Sequence, residues 1–400
     1  MNDSYPVFIN GTRVIPQPNC CLVYSWERAT FDVFNFESLI FLNEMQRNAS
    51  SDEIVRTVST AYPDASEELV ENDLRKLQTF LQARGYIELS VSPGENSNLF
   101  ECADRLGELK VVQADVEITK NCNLRCRYCF DEAGAGSPTL PLGRWIELLD
   151  SLHNAGLRIV KVSGGEPFLY PGILDLLEYA QGKFIVSINT NGYFIDEEVA
   201  GRLASMHLQA VQVSLDSTRA EVHDFFRGDG SWDRAMSAID LLARAGVPLR
   251  ISTTATTQNV GELDDIRELA RAYGAELSVE VLKKVGKASD MDSEYFIANP
   301  EMLSHHSEKS DTHRILDELA ITCQAQLGIV GISFRGNIKP CNLTEEFFEE
   351  RGAEVVEGLD GNWSYADSLT LANSNAASDV VVGLMEKGVI ASKDKCIFEY

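Results

Sequence analysis

Between positions 122 and 129 the chain reads Cys122-Asn-Leu-Arg-Cys126-Arg-Tyr-Cys129, three thiols in one short stretch after an apolar run. Thiolates select zinc or iron–sulfur clusters. A structural zinc site is closed by four protein ligands, and nothing nearby supplies a fourth. Three cysteines on a four-iron cluster leave one iron open to a substrate or a cofactor. The chain holds nine cysteines, an odd number that suits metal ligands and buried thiols better than disulfides. A second set follows the run Ile159–Val162: Ser163-Gly164-Gly165-Glu166-Pro167. Paired glycines let the backbone approach a ligand closely, and the adjacent carboxylate can accept from an ammonium. Thr190-Asn191-Gly192 and Ser214-Leu215-Asp216 close two further apolar runs. The segment His223-Asp224-Phe-Phe-Arg227-Gly228 carries an arginine whose planar fork suits a carboxylate. Cys323, Gly336 and Cys341 form a third group, with Cys396 beyond it.

These residues resemble the radical S-adenosylmethionine superfamily, whose motif is Cys-x3-Cys-x2-Cys with an aromatic before the last cysteine, here Tyr128. The resemblance implies that Cys122, Cys126 and Cys129 hold a 4Fe-4S cluster whose open iron is chelated by the methionyl amine and carboxylate of S-adenosylmethionine. One electron from the cluster then breaks a carbon–sulfur bond, and the resulting 5′-deoxyadenosyl radical removes hydrogen from the substrate. By the same resemblance, Tyr128, Gly164, Gly165, Glu166 and Pro167 bind the cofactor, the Gly-Gly-Glu-Pro segment at its methionine amine. Asn191, Ser214 and Asp216 would line its ribose and methionyl groups, and Arg227 would meet its carboxylate. All of these fall at the carboxyl ends of strands, where parallel α/β architectures place ligands. Cys323-x12-Gly336-x4-Cys341 resembles the auxiliary-cluster extension called twitch in its short form and SPASM in its longer one, with Cys396 as a third ligand. The family pattern has further cysteines there. The fourth position is therefore open or filled from elsewhere, with Cys102 a conceivable donor, while Cys20 and Cys21 read as unliganded.

The elements that must position these groups fall into two textures. Residues 1–90 read as short strands (Val14–Pro16, Cys21–Trp26, Thr30–Phe34), then helices (Glu37–Met45, Asp52–Ala61, Ser66–Arg84) and a closing strand, Tyr86–Leu89. Leu69, Val70, Leu74, Leu77, Phe80 and Leu81 recur at the spacing of one buried helix face. This winged-helix-like stretch resembles the PqqD-like peptide-recognition domain of ribosomal-peptide pathways, from Phe31-Asp-Val-Phe-Asn-Phe to Tyr86-Ile87-Glu88-Leu89. That resemblance implies a leader peptide added as a strand. Seven basic against thirteen acidic residues in 1–90 argue against DNA binding.

From residue 111 strands and helices alternate in six units, which predicts an α/β fold, a partial (β/α)6 barrel spanning 111–285. Residues 91–110 read as a linker and 286–320 as a linker or bridging helix, its histidines 305, 306 and 313 lacking ligand spacing. Residues 321–400 read as the auxiliary-cluster extension, opening with a strand pattern over Ile329–Ile338. A formal charge of −26 argues against nucleic acid and anionic membrane surfaces. The start of the chain is not a secretory signal and no apolar run spans a membrane, so the expected location is the cytoplasm. The implied function is a maturase that modifies a ribosomal precursor peptide by forming a C–S, C–C or C–O cross-link, with flavodoxin or ferredoxin as electron donor. The rival readings are a peptide epimerase, a formylglycine-generating maturase, and a cluster-containing sensor or scaffold without turnover.

Overall fold

The computed structural model describes residues 4–16, 20–35, 37–94, 99–100, 112–154, 156–298, 329–336 and 338–339 of the 400. The chain divides into two units. The first contains β1 (Tyr5–Phe8), β2 (Thr12–Pro16), β3 (Cys20–Ser25), β4 (Thr30–Asn35), α1 (Ser38–Gln46), α2 (Ser51–Ala61), α3 (Glu67–Ala83) and β5 (Ile87–Ser90). Strands β2, β3 and β4 form an antiparallel sheet, while β1 pairs with β5. β1 carries no sequence signal strong enough to read: it is four residues long and includes Pro6. Helix α2 opens with a capping box, the Ser50 hydroxyl accepting from the Glu53 N–H while the Glu53 carboxylate accepts from the Ser50 N–H. Leu42, Met45, Ile54, Leu74, Leu81 and Tyr86 fill its core. Leu99 joins that core, and its carbonyl accepts from the Val14 N–H at 2.8 Å. Cys20 and Cys21 are buried, and burial pushes the Cys20 thiol up to about 12.

The second unit contains β6 (Gln113–Thr119), α4 (Leu142–Asn154), β7 (Ile159–Gly164), α5 (Ile173–Gln181), β8 (Ile185–Thr190), α6 (Glu197–Ala204) and β9 (Ala210–Ser214). It continues with α7 (Ala220–Arg227), α8 (Ser231–Ala245), β10 (Leu249–Ala255), α9 (Leu263–Ala272), β11 (Glu276–Val281), β12 (Ile329–Ile332) and β13 (Ile338–Lys339). The sheet runs β11-β10-β9-β8-β7-β6-β12-β13, parallel throughout except for the last pair. This is the expected α/β parallel architecture, consistent with a partial barrel. It has two strands more than six units supply: β12 lies parallel to β6, Ile329 opposite Gln113, and β13 pairs antiparallel with β12. The run Ile329–Ile338, read as the start of the auxiliary extension, thus contributes an edge of the barrel sheet and a short hairpin.

Alternation along the strands sets the two faces of this sheet. In β10, Leu249, Ile251, Thr253 and Ala255 are buried, while Arg250, Ser252 and Thr254 between them are half-buried. Helices pack against the sheet, α5 on β8, α8 on β9 and β10, and α9 on β11. The other face is polar. Two single-turn 3-10 segments, Gly286–Asp290 and Ser293–Tyr295, stand at the start of the stretch read as a bridging helix. His305, His306, His313, Cys102, Cys323, Cys341 and Cys396 lie outside the described residues. Among the described residues no helix is long and apolar enough to cross a membrane.

Candidate active site

The cysteine loop leaves the carboxyl end of β6 and is pinned from three sides. Its base is closed by the Cys122 N–H donating to the Gly134 carbonyl (2.6 Å) and the Gly134 N–H to the Lys120 carbonyl (3.0 Å). Its middle is held to α7, where the Arg127 N–H donates to the Phe226 carbonyl (2.8 Å) and the Cys126 thiol faces the Arg227 carbonyl (3.9 Å). Its far end rests on Gly286, whose φ is +53°. A Cβ there would sit 2.4 Å from the Phe130 carbonyl oxygen and 2.6 Å from that of Cys129. The Lys287 N–H also donates to the Cys129 carbonyl. Gly286 is a site residue that sequence reading missed, because the segment around it is polar and carries no motif.

The Gly-Gly-Glu-Pro segment sits directly on this loop. The Gly165 N–H donates to the Thr119 carbonyl (2.7 Å) and the Glu166 N–H to the Asn121 carbonyl (2.8 Å). A Cβ on Gly164 would lie 2.3 Å from the Thr119 carbonyl oxygen, and one on Gly165 would lie 2.3 Å from that of Asn121. The close approach these glycines permit is therefore to the backbone entering the cysteine loop, at a register shift between Glu117 and Thr119. Glu166 is fully buried. Its carboxylate accepts from the Thr190 hydroxyl (2.8 Å), the Asn191 N–H (2.8 Å) and the Phe168 N–H (3.1 Å). Burial raises its pKa to about 7 against the opposing pull of these donors. The Asn191 amide in turn donates to the Asn123 side-chain oxygen (2.9 Å), so the ends of β7 and β8 both brace the cysteine loop.

Asp216, at the end of β9, is likewise fully buried. It accepts from Arg227 through Nε (2.6 Å) and Nη2 (3.1 Å), from the Tyr128 hydroxyl, and from the Thr254 N–H (3.0 Å). Its own N–H donates to His223 Nδ1 (3.1 Å). Burial opposes ionisation of Asp216, yet the Arg227 guanidinium holds its carboxyl below the usual range. Burial drives His223 down to about 4, which keeps the ring neutral and Nδ1 an acceptor. The sequence reading placed Arg227 and Asp216 separately on the cofactor; the structure joins them as a buried pair beneath Tyr128. Ser214 and Asn191 stay half-buried at their strand ends. Tyr128, Gly164, Gly165, Glu166, Pro167, Asn191, Ser214, Asp216 and Arg227 thus gather with the cysteine loop at one end of the sheet.

The donor set fits a cluster better than a single ion. Cys122, Cys126 and Cys129 are free and half-buried on one loop. Among the described residues no three His, Cys, Asp or Glu side chains converge as one metal ion requires. A multi-iron cage takes its thiolates spread around it rather than meeting at a point. Burial pushes the Cys122 thiol up to about 11 and raises Cys126, so the thiolates need a cationic partner to form. The Asn123 side-chain nitrogen, between Cys122 and Cys126 in sequence, is buried without a partner.

Comparison with known proteins bears on this site. The model of the radical SAM superfamily matches residues 116–272. The mycofactocin maturase MftC of Mycobacterium ulcerans is 39% identical over 178 residues, 44% of this chain and 48% of that protein. The chain thus spans about half the length of that relative. An AdoMet-dependent heme synthase of Oleidesulfovibrio alaskensis is 30% identical over 267 residues, 57% of this chain and 69% of that protein. Among solved structures, SuiB of Streptococcus suis bound to S-adenosylmethionine superposes with a TM-score of 0.59 at 15% identity, covering 93% of this chain and 89% of that one. SuiB bound to the precursor peptide SuiA gives the same score at 14% identity, covering 94% and 90%. At such identity the likeness is one of fold.

Proposed function

The chain belongs to the radical SAM superfamily, and from that premise we propose that it is a maturase that modifies a ribosomally made precursor peptide after hydrogen abstraction. The observation that carries this reading is a separate amino-terminal unit with its own core and a sheet whose β4 edge has no strand paired to it among the described residues. An unpaired edge is a template for an added peptide strand. Phe34 of β4 meets Phe80 of α3 edge-to-face at 5.4 Å, so the strand offered as template is held on the unit's own core. MftC is a mycofactocin maturase and SuiB binds the precursor peptide SuiA, which supports the same substrate class.

In this reading Cys122, Cys126 and Cys129 hold a 4Fe-4S cluster, which with S-adenosylmethionine supplies a 5′-deoxyadenosyl radical when both are bound. The protein supplies position. Glu166 clamps the ends of β7 and β8 to the loop, while Asp216, Arg227 and His223 fix it from β9 and α7. Arg227 Nη1, unengaged by Asp216, is the donor assigned to the cofactor carboxylate, with Gly164, Asn191 and Ser214 lining the rest. We place the leader-recognition role on residues 1–90, in a PqqD-like domain. Cys323, Cys341 and Cys396 we assign to an auxiliary cluster of twitch or SPASM type, with a flavodoxin or ferredoxin as electron source. A cross-link is the product expected, because its formation removes electrons that an auxiliary cluster can accept.

The test is anaerobic reconstitution followed by chromatography. Reduced protein given S-adenosylmethionine should release 5′-deoxyadenosine, and alanine at Cys122, Cys126 and Cys129 together should abolish it. Cleavage that persists in the triple variant rules the assignment out. Modification of a tetrapyrrole rather than a peptide by the intact enzyme would move the function to the heme synthase side of the superfamily.

A further inference from the structure

On the polar face of the barrel sheet the strand register lines up two short rows, offset from each other by two residues on β8. Asp115 of β6 stands opposite Lys161 of β7, and Lys161 opposite Ser187 of β8. Two residues along β8 on the same face, Asn189 stands opposite Gln212 of β9, and Gln212 opposite Arg250 of β10. The other charged groups of these rows already have hydrogen-bonding or ion-pair partners. Asp115 accepts from the Gln113 amide at 2.7 Å, and Arg250 is paired with Glu276 at 2.6 Å. Lys161 is different: half-buried, it makes no hydrogen bond or ion pair among the described residues. Asn189 is also unmatched, its side-chain oxygen buried without a partner. In a chain of net charge −26, an inner-face ammonium that forms no ion pair among the described residues, even with Asp115 on the neighbouring strand, is unusual, since acidic partners are plentiful.

We propose that Lys161 and Asn189 form a substrate-anchoring subsite, Lys161 taking a carboxylate of the peptide and Asn189 a neighbouring peptide N–H. The proposal rests on the maturase reading and adds to it the chemistry of the substrate. An ammonium offers donors only, so its ligand is an acceptor, and a carboxylate makes the bond charge-assisted. The Asn189 oxygen accepts, which suits the amide of a residue next to that carboxylate. Lys161 lies three residues before Gly164 on the same strand, about 10 Å toward the interior at the rise of an extended chain. The residue that reacts at the strand ends is therefore within about three extended residues of the anchored carboxylate. A chain terminus and an aspartate or glutamate side chain both provide that group.

Three probes separate these cases against the reconstituted full chain carrying S-adenosylmethionine. They are N-acetyl-Ala-Ala with a free carboxylate, its carboxy-terminal amide, and N-acetyl-Asp-Ala amide, each followed by ligand-observed NMR. At least one acid should bind about tenfold more tightly than the neutral amide, the step expected of one charge-assisted pair. Which acid wins tells a terminus from a side chain. Lys161→Met should erase the difference, Lys161→Arg should keep it, and Asn189→Ala should weaken acid and amide alike. Equal binding of all three probes, no binding by either acid, or an acid preference that survives Lys161→Met would overturn the subsite. A fall in S-adenosylmethionine affinity in Lys161→Met would place the ammonium on the cofactor instead and overturn it equally. Failure of the maturase reading shows separately, as precursor peptide left unmodified by a wild-type enzyme that still prefers the acid probes.

Discussion

A methyl group on Gly165 would stand 2.3 Å from the Asn121 carbonyl oxygen, and that oxygen belongs to backbone that cannot swing aside. Gly165→Ala should therefore cost about 1–3 kcal/mol, as overpacking does, and should loosen the entrance to the cysteine loop. Thermal unfolding and iron per chain after reconstitution measure the two effects; wild-type values for both would mean that the loop yields freely. Glu166 makes a pH-dependent statement. Its folded pKa, about 7, lies above the ordinary 4.5, so burial favours the protonated form. Stability from that group is complete below pH 4.5 and is lost as the pH rises through 7. Ligand-free wild type should accordingly lose ground to Glu166→Gln between pH 5 and pH 8, by up to about 3 kcal/mol at 1.36 kcal/mol per unit. Urea unfolding at several pH values reads this directly, and a gap that stays constant across the range would refute it.

Helix α7 brings His223 and Arg227 to the same aspartate because the two lie four residues apart, on one face of the helix. His223→Leu would leave the buried Asp216 N–H unpaired, a loss of about 1–3 kcal/mol. His223→Asn, which returns an acceptor near Nδ1, should recover part of it. Iron retention ought to follow the same order, and a leucine variant as stable as wild type would remove His223 from the support of the loop. Neither α7 nor α6 was readable as a helix. Each is eight residues long, and in α7 only His223 and Phe226 are buried, too few to print a period. By contrast α3 is legible from its apolar stripe, and the barrel strands are legible as six strand–helix units from residue 111. The motif residues were legible as a set at one end of a parallel sheet, because strand–helix alternation puts such loops there. Their partners were not. The meeting of Asp216 with Arg227 and Tyr128, of Glu166 with Thr190, and of β12 with β6 depends on contacts between distant segments that leave no local pattern.

For the whole molecule the decisive question is what the amino-terminal unit adds. It carries its own core, from Val14 through Tyr86 to Leu99, and the described part of the barrel unit begins at Val112. A cut at residue 90 would strip Leu99 and Phe100 from the unit they pack with, so removal should extend to residue 110. If β4 accepts a leader strand, deleting residues 1–110 should reduce modification of a precursor peptide strongly while cofactor cleavage without peptide continues, since the cysteine loop and its braces lie in the other unit. Mass spectrometry of the peptide and chromatography of 5′-deoxyadenosine, run on full-length and truncated enzyme, measure the two activities side by side. Circular dichroism and iron content establish that the truncated chain has folded. A leader peptide added in trans should compete with the precursor for full-length enzyme and have no effect on the truncated form, because its binding surface is gone. Equal peptide turnover by the two forms would strip the amino-terminal unit of leader recognition and leave it a structural cap. With cofactor cleavage intact and peptide turnover lost, recognition and chemistry would be assigned to separate units of one chain.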